Sequence, residues 1–568
     1  MRPQSGESGV IALADVGMHR VETTASLAGT LTDQGIEIAQ PEPVYGKVEE
    51  KAEEGQSRQL LYGMKLAMAI ISLDLLIFLS ALDASIVATA YVPIGNELGA
   101  LDKAEWIVTS YLITMTAFQP LYGRISDLLG RVETIVFAIV VFLAGSILCA
   151  VSKSMTMLIV SRAVQGIGGA GLASLALIVI ADIMNERQRG KYVGIFSGTY
   201  GVASSIAPVV GGAIVQKSKW PIIFWINIPI CVAALVLIVL LLRIPRPRGA
   251  VKEKLLRIDF AGALLCLCGV VVLLLSLAWG GREYAWSSSQ VICTLVFGVL
   301  ILVLFVLFEW RLAKVPIVPM HMFKVRNVVF SSLCNLLFGF AINGTVIFIP
   351  QWALIVKNAT NVTSGAYLVP YCVGMILTSI VSGFLVNKLG RCREIIIVGA
   401  AILLVGNCLL LLLGSDGSLG KVIGFMLLSG LGVGTCIQTL NLIGQASVSG
   451  RDMATSTTTF MFFRSLGQVL AVSVLSSVIQ NTMQARVEAL TKTFSAYAQS
   501  ILDATKDQAL LYKSGLPAEL IQTYIKDYSD AMHMAFVVLS AFTGVYFVST
   551  LGFKHVELQK VLKKTIDS

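Results

Sequence analysis

Four ionisable side chains stand inside stretches that are otherwise apolar: Asp74 and Asp83 in the run 66–91, Arg162 in 157–181 and Arg464 in 459–480. A charge at bilayer depth costs about 2.5–3.5 kcal/mol on insertion scales, so each of these residues needs a partner or a function. A buried carboxylate facing a guanidinium can couple two ligands. A proton on the acid weakens the pair, and a bound solute can compete with that proton. Asp83 and Arg162 lie toward the same membrane face on oppositely directed segments. Their depths match, and they are expected to pair. The same pair could equally serve as a permanent ion pair that fixes helix packing.

Asp74 precedes Asp83 by nine residues, about 900° of helix and therefore half a turn out of phase. It either lines a different wall of the cavity or meets another helix, and it is a candidate for recognising a cation. Arg464 sits about one and a half turns into its run. It could hold an anionic group, organise an acidic partner, or snorkel to the interface. Asn335, Asn343, Gln438 and Asn441 are polar residues in later apolar runs and suit a cavity wall.

The elements that must position these groups are membrane helices. A span needs about 20 apolar residues, and only helices or closed barrels satisfy their backbones in lipid. Fourteen runs qualify, at 66–91, 104–122, 132–152, 157–181, 192–215, 221–242, 258–279, 289–309, 327–351, 363–386, 394–414, 420–443, 459–480 and 532–553. None shows strand-like alternation. Of 568 residues 56% are hydrophobic and 14% charged, which excludes a set of soluble domains. Alternate loops carry nineteen Lys and Arg against seven in the short loops opposite. By the positive-inside rule both termini are cytosolic, as an even span number requires. The basic surplus is thereby accounted for and calls for no nucleic acid.

Residues 1–62 form an acidic tail with the composition of disordered chain, and 556–568 a short cytosolic tail. Loop 481–531 is long, faces the lumen or the exterior, shows helical periodicity around Val487–Leu502, and is expected to pack over that mouth. Sequons at Asn358 and Asn361 fall on the same side. The ten cysteines are scattered, with no CxxC pair, and read as small apolar packing residues. No metal site or disulfide framework is expected. There is no GxxxxGK[ST] phosphate loop, no HExxH and no nucleophile elbow. The sequence predicts no enzyme and no cofactor.

The stretch Gly123-Arg-Ile-Ser-Asp127-Leu-Leu-Gly130-Arg131 recurs 260 residues later as Gly383-Phe-Leu-Val-Asn387-Lys-Leu-Gly390-Arg391. Repeated halves are common in secondary transporters. The offset corresponds to eight spans, so two were inserted between six-span halves. This divides the chain into 63–245, an insertion at 246–315, and 316–555.

These residues resemble the major facilitator superfamily. Gly123–Arg131 looks like its loop signature, and Leu82-Asp83-Ala-Ser85-Ile-Val87 through Pro93 like the first-helix motif of the 14-span drug:proton antiporter branch. Ser161-Arg162-Ala-Val-Gln165-Gly166 resembles the fourth-helix arginine motif. Pro208 with Gly211-Gly212 resembles the end of the fifth-helix antiporter motif, and Trp220–Pro229 with Asn227 the sixth-helix entry. Ala203 and Ala207 stand where that fifth-helix motif usually has glycine, and Asn387 makes any charge switch in the loops one-sided. Phe463-Arg464-Ser-Leu-Gly467 is similar to fungal vacuolar transporters of basic amino acids, whereas Gly280-Gly281 through Trp286 is more like fungal efflux pumps.

The resemblance implies an all-α integral membrane protein with 14 helices: two pseudo-symmetric six-helix bundles plus two intervening helices. It implies a monomer in the plasma or vacuolar membrane that exchanges protons for a small organic, cationic solute. A vacuolar importer of basic amino acids and a non-transporting sensor remain open. Asp127 and Arg131 would latch the cytosolic gate.

Overall fold

The computed structural model describes residues 63–556, apart from 88–89, 101–102, 105, 185, 243, 245–258, 282, 314–315, 415–417 and 502–515. The expected tails at 1–62 and 557–568 lie outside the described residues. Long helices run at Gly63–Ile86 (α1), Trp106–Leu129 (α2), Arg131–Ala150 (α3), Met155–Ile183 (α4), Glu186–Lys217 (α5), Ile222–Leu241 (α6), Phe260–Trp279 (α7), Ser289–Arg311 (α8), Arg326–Val356 (α9), Val369–Leu389 (α10), Cys392–Leu409 (α11), Leu419–Gln445 (α12), Met453–Thr493 (α13) and Ala518–Thr550 (α14).

Among the described residues, twelve helices are long and apolar enough to cross a membrane. The other two are α2 and α5. Both are long, both are more polar, and both pack between the apolar ones. The protein is an all-helical integral membrane protein, and its long helices are compatible with fourteen crossings.

Successive helices alternate in direction. Loops rich in Lys and Arg mark one end of the molecule, called here the basic end. Helices α1–α6 gather around one core that includes Tyr111, Phe142, Leu175 and Cys231. Helices α9–α14 gather around another that includes Phe338, Trp352, Leu403 and Tyr546. The inserted hairpin α7–α8 does not hang free. Cys266, Val270 and Leu274 of α7 and Phe305 of α8 share a cluster with Ile113 and Ala117 of α2 and Phe460 of α13. The hairpin thus covers the seam where α2 of the first half meets α13 of the second. Trp106 Nε1 donates to Glu283 Oε1 at 2.8 Å and Ser473 Oγ to the Leu277 carbonyl at 2.7 Å. These bonds tie it to both halves.

Two elements differ from the expected boundaries. The first helix ends at Ile86, not 91, and a separate short helix follows at Tyr91–Glu97. The described residues of loop 481–531 are largely helical, as the periodicity at 487–502 suggests, and the flanking helices extend into it. α13 has 41 residues, about 60 Å at 1.5 Å per residue, against about 30 Å of hydrocarbon. Apolarity stops at the lipid boundary, but the helix does not. Arg486 on its extension reaches Asp527 at 2.8 Å and Asp530 at 2.7 Å on α14, so the two extensions brace each other.

Without a hydrophobic drive between helices in lipid, close approach depends on small residues. A Cβ added at Gly467 of α13 would fall on the Leu336 carbonyl oxygen of α9, and one at Gly339 on that of Arg464. Gly467→Val is therefore expected to cost about 1–3 kcal/mol by overpacking. It should lower the unfolding temperature of the detergent-solubilised protein. Gly424→Ala, where a Cβ meets nothing within 4 Å, should leave that temperature unchanged or raise it slightly.

Candidate functional site

Asp83 is wholly buried near the end of α1, and Arg162 is wholly buried in the second turn of α4. The structure brings them together. Arg162 Nη1 donates to Asp83 Oδ2 at 2.7 Å. Oδ1 accepts from Gln165 Nε2 at 2.9 Å and from Asn227 Nδ2 at 2.8 Å. The Gln165 amide also accepts from Arg162 Nη1 at 2.7 Å and donates to Ser146 Oγ at 2.8 Å. Arg162 Nε donates to the Ile107 carbonyl at 3.0 Å, and the guanidinium lies 4.2 Å from the ring centroid of Tyr111.

One carboxylate is thereby linked to α1, α4 and α6 directly, and to α2 and α3 through its partners. Charge-assisted bonds of this kind are the strong ones. Gln165 falls on the same helix face as Arg162 because i and i+3 are neighbours. That spacing is the signal the sequence offers for it. Nothing in the sequence marks Asn227 as the third donor. Its Oδ1 is buried and accepts no hydrogen bond.

Among the described residues, helices α9–α14 hold no wholly buried carboxylate–guanidinium pair. Their buried polar hub is Asn407 of α11. There Oδ1 accepts from Ser429 at 3.0 Å and Thr345 at 3.3 Å, and Nδ2 donates to Thr543 at 3.0 Å. The hub joins α9, α11, α12 and α14 without a charge. Among the described residues, the α1–α6 hub thus carries an ion pair and the α9–α14 hub is neutral.

Asp74 is half-buried on α1. Its Oδ2 accepts from Thr199 of α5 at 2.8 Å, and its Oδ1 is buried with no hydrogen-bond partner. Arg464 is half-buried on α13. Its Nε and Nη2 reach Asn335 Oδ1 at 3.1 and 2.8 Å, and Nη2 reaches Asn441 Oδ1 at 3.1 Å. Asn335 and Asn441 therefore solvate the guanidinium. Asn343 donates to the Gln468 carbonyl at 3.0 Å, which is a link between α9 and α13. Gln438 is buried where α12 meets Gly194 of α5.

The repeated loop signature sits at the basic end. Its first copy is mostly helix: α2 runs through Asp127 to Leu129, and only Gly130, at φ 118°, forms the turn into α3. That backbone is one an L side chain rarely adopts. Arg131 Nη1 contacts Asp127 Oδ1 at 2.6 Å, and its Nε donates to Asp182 Oδ2 at 2.7 Å at the end of α4. Asp182 lies outside the motif, and no sequence signal points to it. Gly123 presses on Thr458 and Ala454 of α13, so the two halves touch at this end.

In the second copy Gly383 is buried, Gly390 is a left-handed cap at φ 68° and Arg391 is exposed. The side chains of Asn387 and Pro208 lie outside the described residues. Gly211 and Gly212 are buried on α5.

If Arg131 holds the turn through both acids, Asp127→Ala and Asp182→Asn should each slow turnover about three- to tenfold. That corresponds to roughly 0.6–1.4 kcal/mol, with apparent solute affinity nearly unchanged. Transport kinetics in proteoliposomes read this directly, and equal turnover in both variants would speak against a latch.

Two sets of six helices, each gathered around its own core and carrying half-buried polar residues, are the build of a membrane carrier. The family model described as Major Facilitator Superfamily matches residues 73–472. The chain belongs to that superfamily and is a membrane transporter, not an enzyme. It is 33% identical over 516 residues to the multidrug transporter protein MdtP of Bacillus subtilis, covering 87% of this chain and 94% of that one. It is 31% identical to the efflux pump dotC of Dothistroma septosporum, covering 76% and 74%, and 32% identical to the MFS-type transporter gkaD of Penicillium citrinum, covering 87% and 85%.

Among solved structures, the human organic anion transporter MFSD10 superposes with a TM-score of 0.56 at 14% identity, covering 86% of this chain and all of that one. A bacterial homologue of the lysosomal transporter Spinster gives 0.52 at 15%, covering 87% and 98%. At these identities the likeness speaks for the fold alone.

Proposed function

We propose that the protein is a proton-coupled antiporter that moves small organic, cationic solutes from the basic, cytosolic side to the exterior or a lumen. It would work as a monomer with both termini in the cytosol. The observation that carries this reading is the Asp83–Arg162 pair, sealed from solvent and linked to five helices.

Protonating Asp83 removes the charge that holds Arg162 and alters the three bonds that the carboxylate accepts. The Asn227 amide can then rotate to offer its unused oxygen to the acid proton. Arg162 keeps Ile107, Gln165 and the Tyr111 face as partners. A ligand shifts such an equilibrium only by binding one state more tightly. Solute binding that favours the deprotonated knot, and proton binding that favours the other, yields exchange.

The names of the relatives support efflux of diverse solutes. A vacuolar importer of basic amino acids uses the same machinery with a different solute and membrane, and the unpartnered oxygen of Asp74 suits its cationic side chain. A sensor on this fold binds without flux. The test is uptake of ethidium and of labelled lysine and arginine by proteoliposomes under an imposed pH gradient. Gradient-driven accumulation that a protonophore abolishes is expected. Saturable binding with no flux would replace the transporter by a sensor.

A further inference from the structure

We infer that the solute bridges the two halves as a dipole, its cationic group on Asp74 of α1 and an anionic or strongly accepting group on Arg464 of α13. This rests on the carrier reading above and adds the class of solute.

Asp74 and Arg464 each lie eleven residues into their helices, about 16 Å along axes that run in the same direction. Both therefore stand at a similar distance from the basic ends of their helices, and carriers of this architecture place their ligands between the repeats. α5 connects the two. Thr199 holds one oxygen of Asp74, and the next residue, Tyr200, lies within electrostatic range of Arg464. Thr199 and Tyr200 are adjacent on α5, so one turn of that helix interacts with both charges.

Each is incomplete in a complementary sense. Asp74 Oδ1 is buried and unbonded, and Arg464 is met by two neutral amides, with no ion pair to any acid among the described residues. No ion pair joins Asp74 to Arg464 among those residues either. Charges at this depth are rare and costly unless paired. A solute carrying both signs pairs them at once, whereas a plain cation leaves the guanidinium uncompensated. Because one pole belongs to each half, such a solute also ties the halves together. A singly charged solute binds one half only.

The test is equilibrium binding to the purified full-length protein in detergent, read by the shift in unfolding temperature and by competition. The probes are trimethylammonium carboxylates with spacers of increasing length, each set against the alkyltrimethylammonium ion and the alkyl carboxylate of the same length. At one spacer length the dipolar probe should bind at least about tenfold more tightly than either monopole, because the second contact is intramolecular once the first is made. Asp74→Asn should erase its advantage over the carboxylate, and Arg464→Gln its advantage over the ammonium ion. Arg464→Lys, which keeps the charge, should retain part of it. If no spacer length gives an advantage, or if the advantage survives Arg464→Gln, the dipole is wrong. Should Arg464→Gln fail to purify, the Asp74→Asn and Arg464→Lys arms decide. No pH gradient enters the measurement, so a failure of proton coupling leaves its outcome untouched.

Discussion

Asp83→Asn will leave a folded protein that binds solute but no longer couples its movement to protons. The asparagine amide has the shape of the carboxylate and keeps an oxygen for Arg162 and a bond with Asn227 or Gln165, so the knot stays hydrogen-bonded. What it lacks is a group whose charge changes. Gradient-driven uptake should fall by about 100-fold or more, an effect of about 2.7 kcal/mol or larger on the coupled step. Downhill exchange of solute for solute should continue. Uptake driven by a pH gradient at the wild-type rate would show that another group carries the proton.

Arg162→Met should be the most destabilising single change in the first half. Asp83 would keep two amide donors but lose its counter-charge in a site sealed from solvent. Breaking a buried pair from one side costs about 3–5 kcal/mol, because the remaining charge stays uncompensated. The expected results are a large drop in unfolding temperature and poor yield at neutral pH. Acidification should restore part of the loss, since protonating the stranded carboxylate removes the buried charge. The double variant Asp83→Asn with Arg162→Met should recover most of the stability and none of the coupling. That non-additivity, measured as a double-mutant cycle in thermal unfolding, separates the pair from two independent residues.

The number and order of helices are legible in the sequence because lipid imposes length and apolarity on every span. α2 and α5 show through their place between other spans even though neither is among the twelve described helices apolar enough to count as a crossing. The pairing of Asp83 with Arg162 is legible for the same reason, since opposite helix directions bring a residue late in α1 near one early in α4. Other features are not readable. Asn227 and Asp182 act on groups far away in sequence, and only packing decides which asparagine or aspartate arrives. The helical extensions of α13 and α14 escape a hydropathy reading because hydropathy reports where lipid ends, while the backbone follows helix propensity and the Arg486 bridge. The sequence suggests a cavity wall for Asn335 and Asn441, but only packing brings them to Arg464, Asn335 across the close α9–α13 approach that Gly339 and Gly467 permit.

The central claim is that Asp83 exchanges its proton when solute binds. Protein in weakly buffered detergent solution with a pH-indicator dye tests it most directly, using whichever of ethidium, lysine or arginine the liposomes accumulate. The wild type should release protons in proportion to bound solute, and Asp83→Asn should bind the same solute with no release. Equal proton release from both proteins would contradict the account.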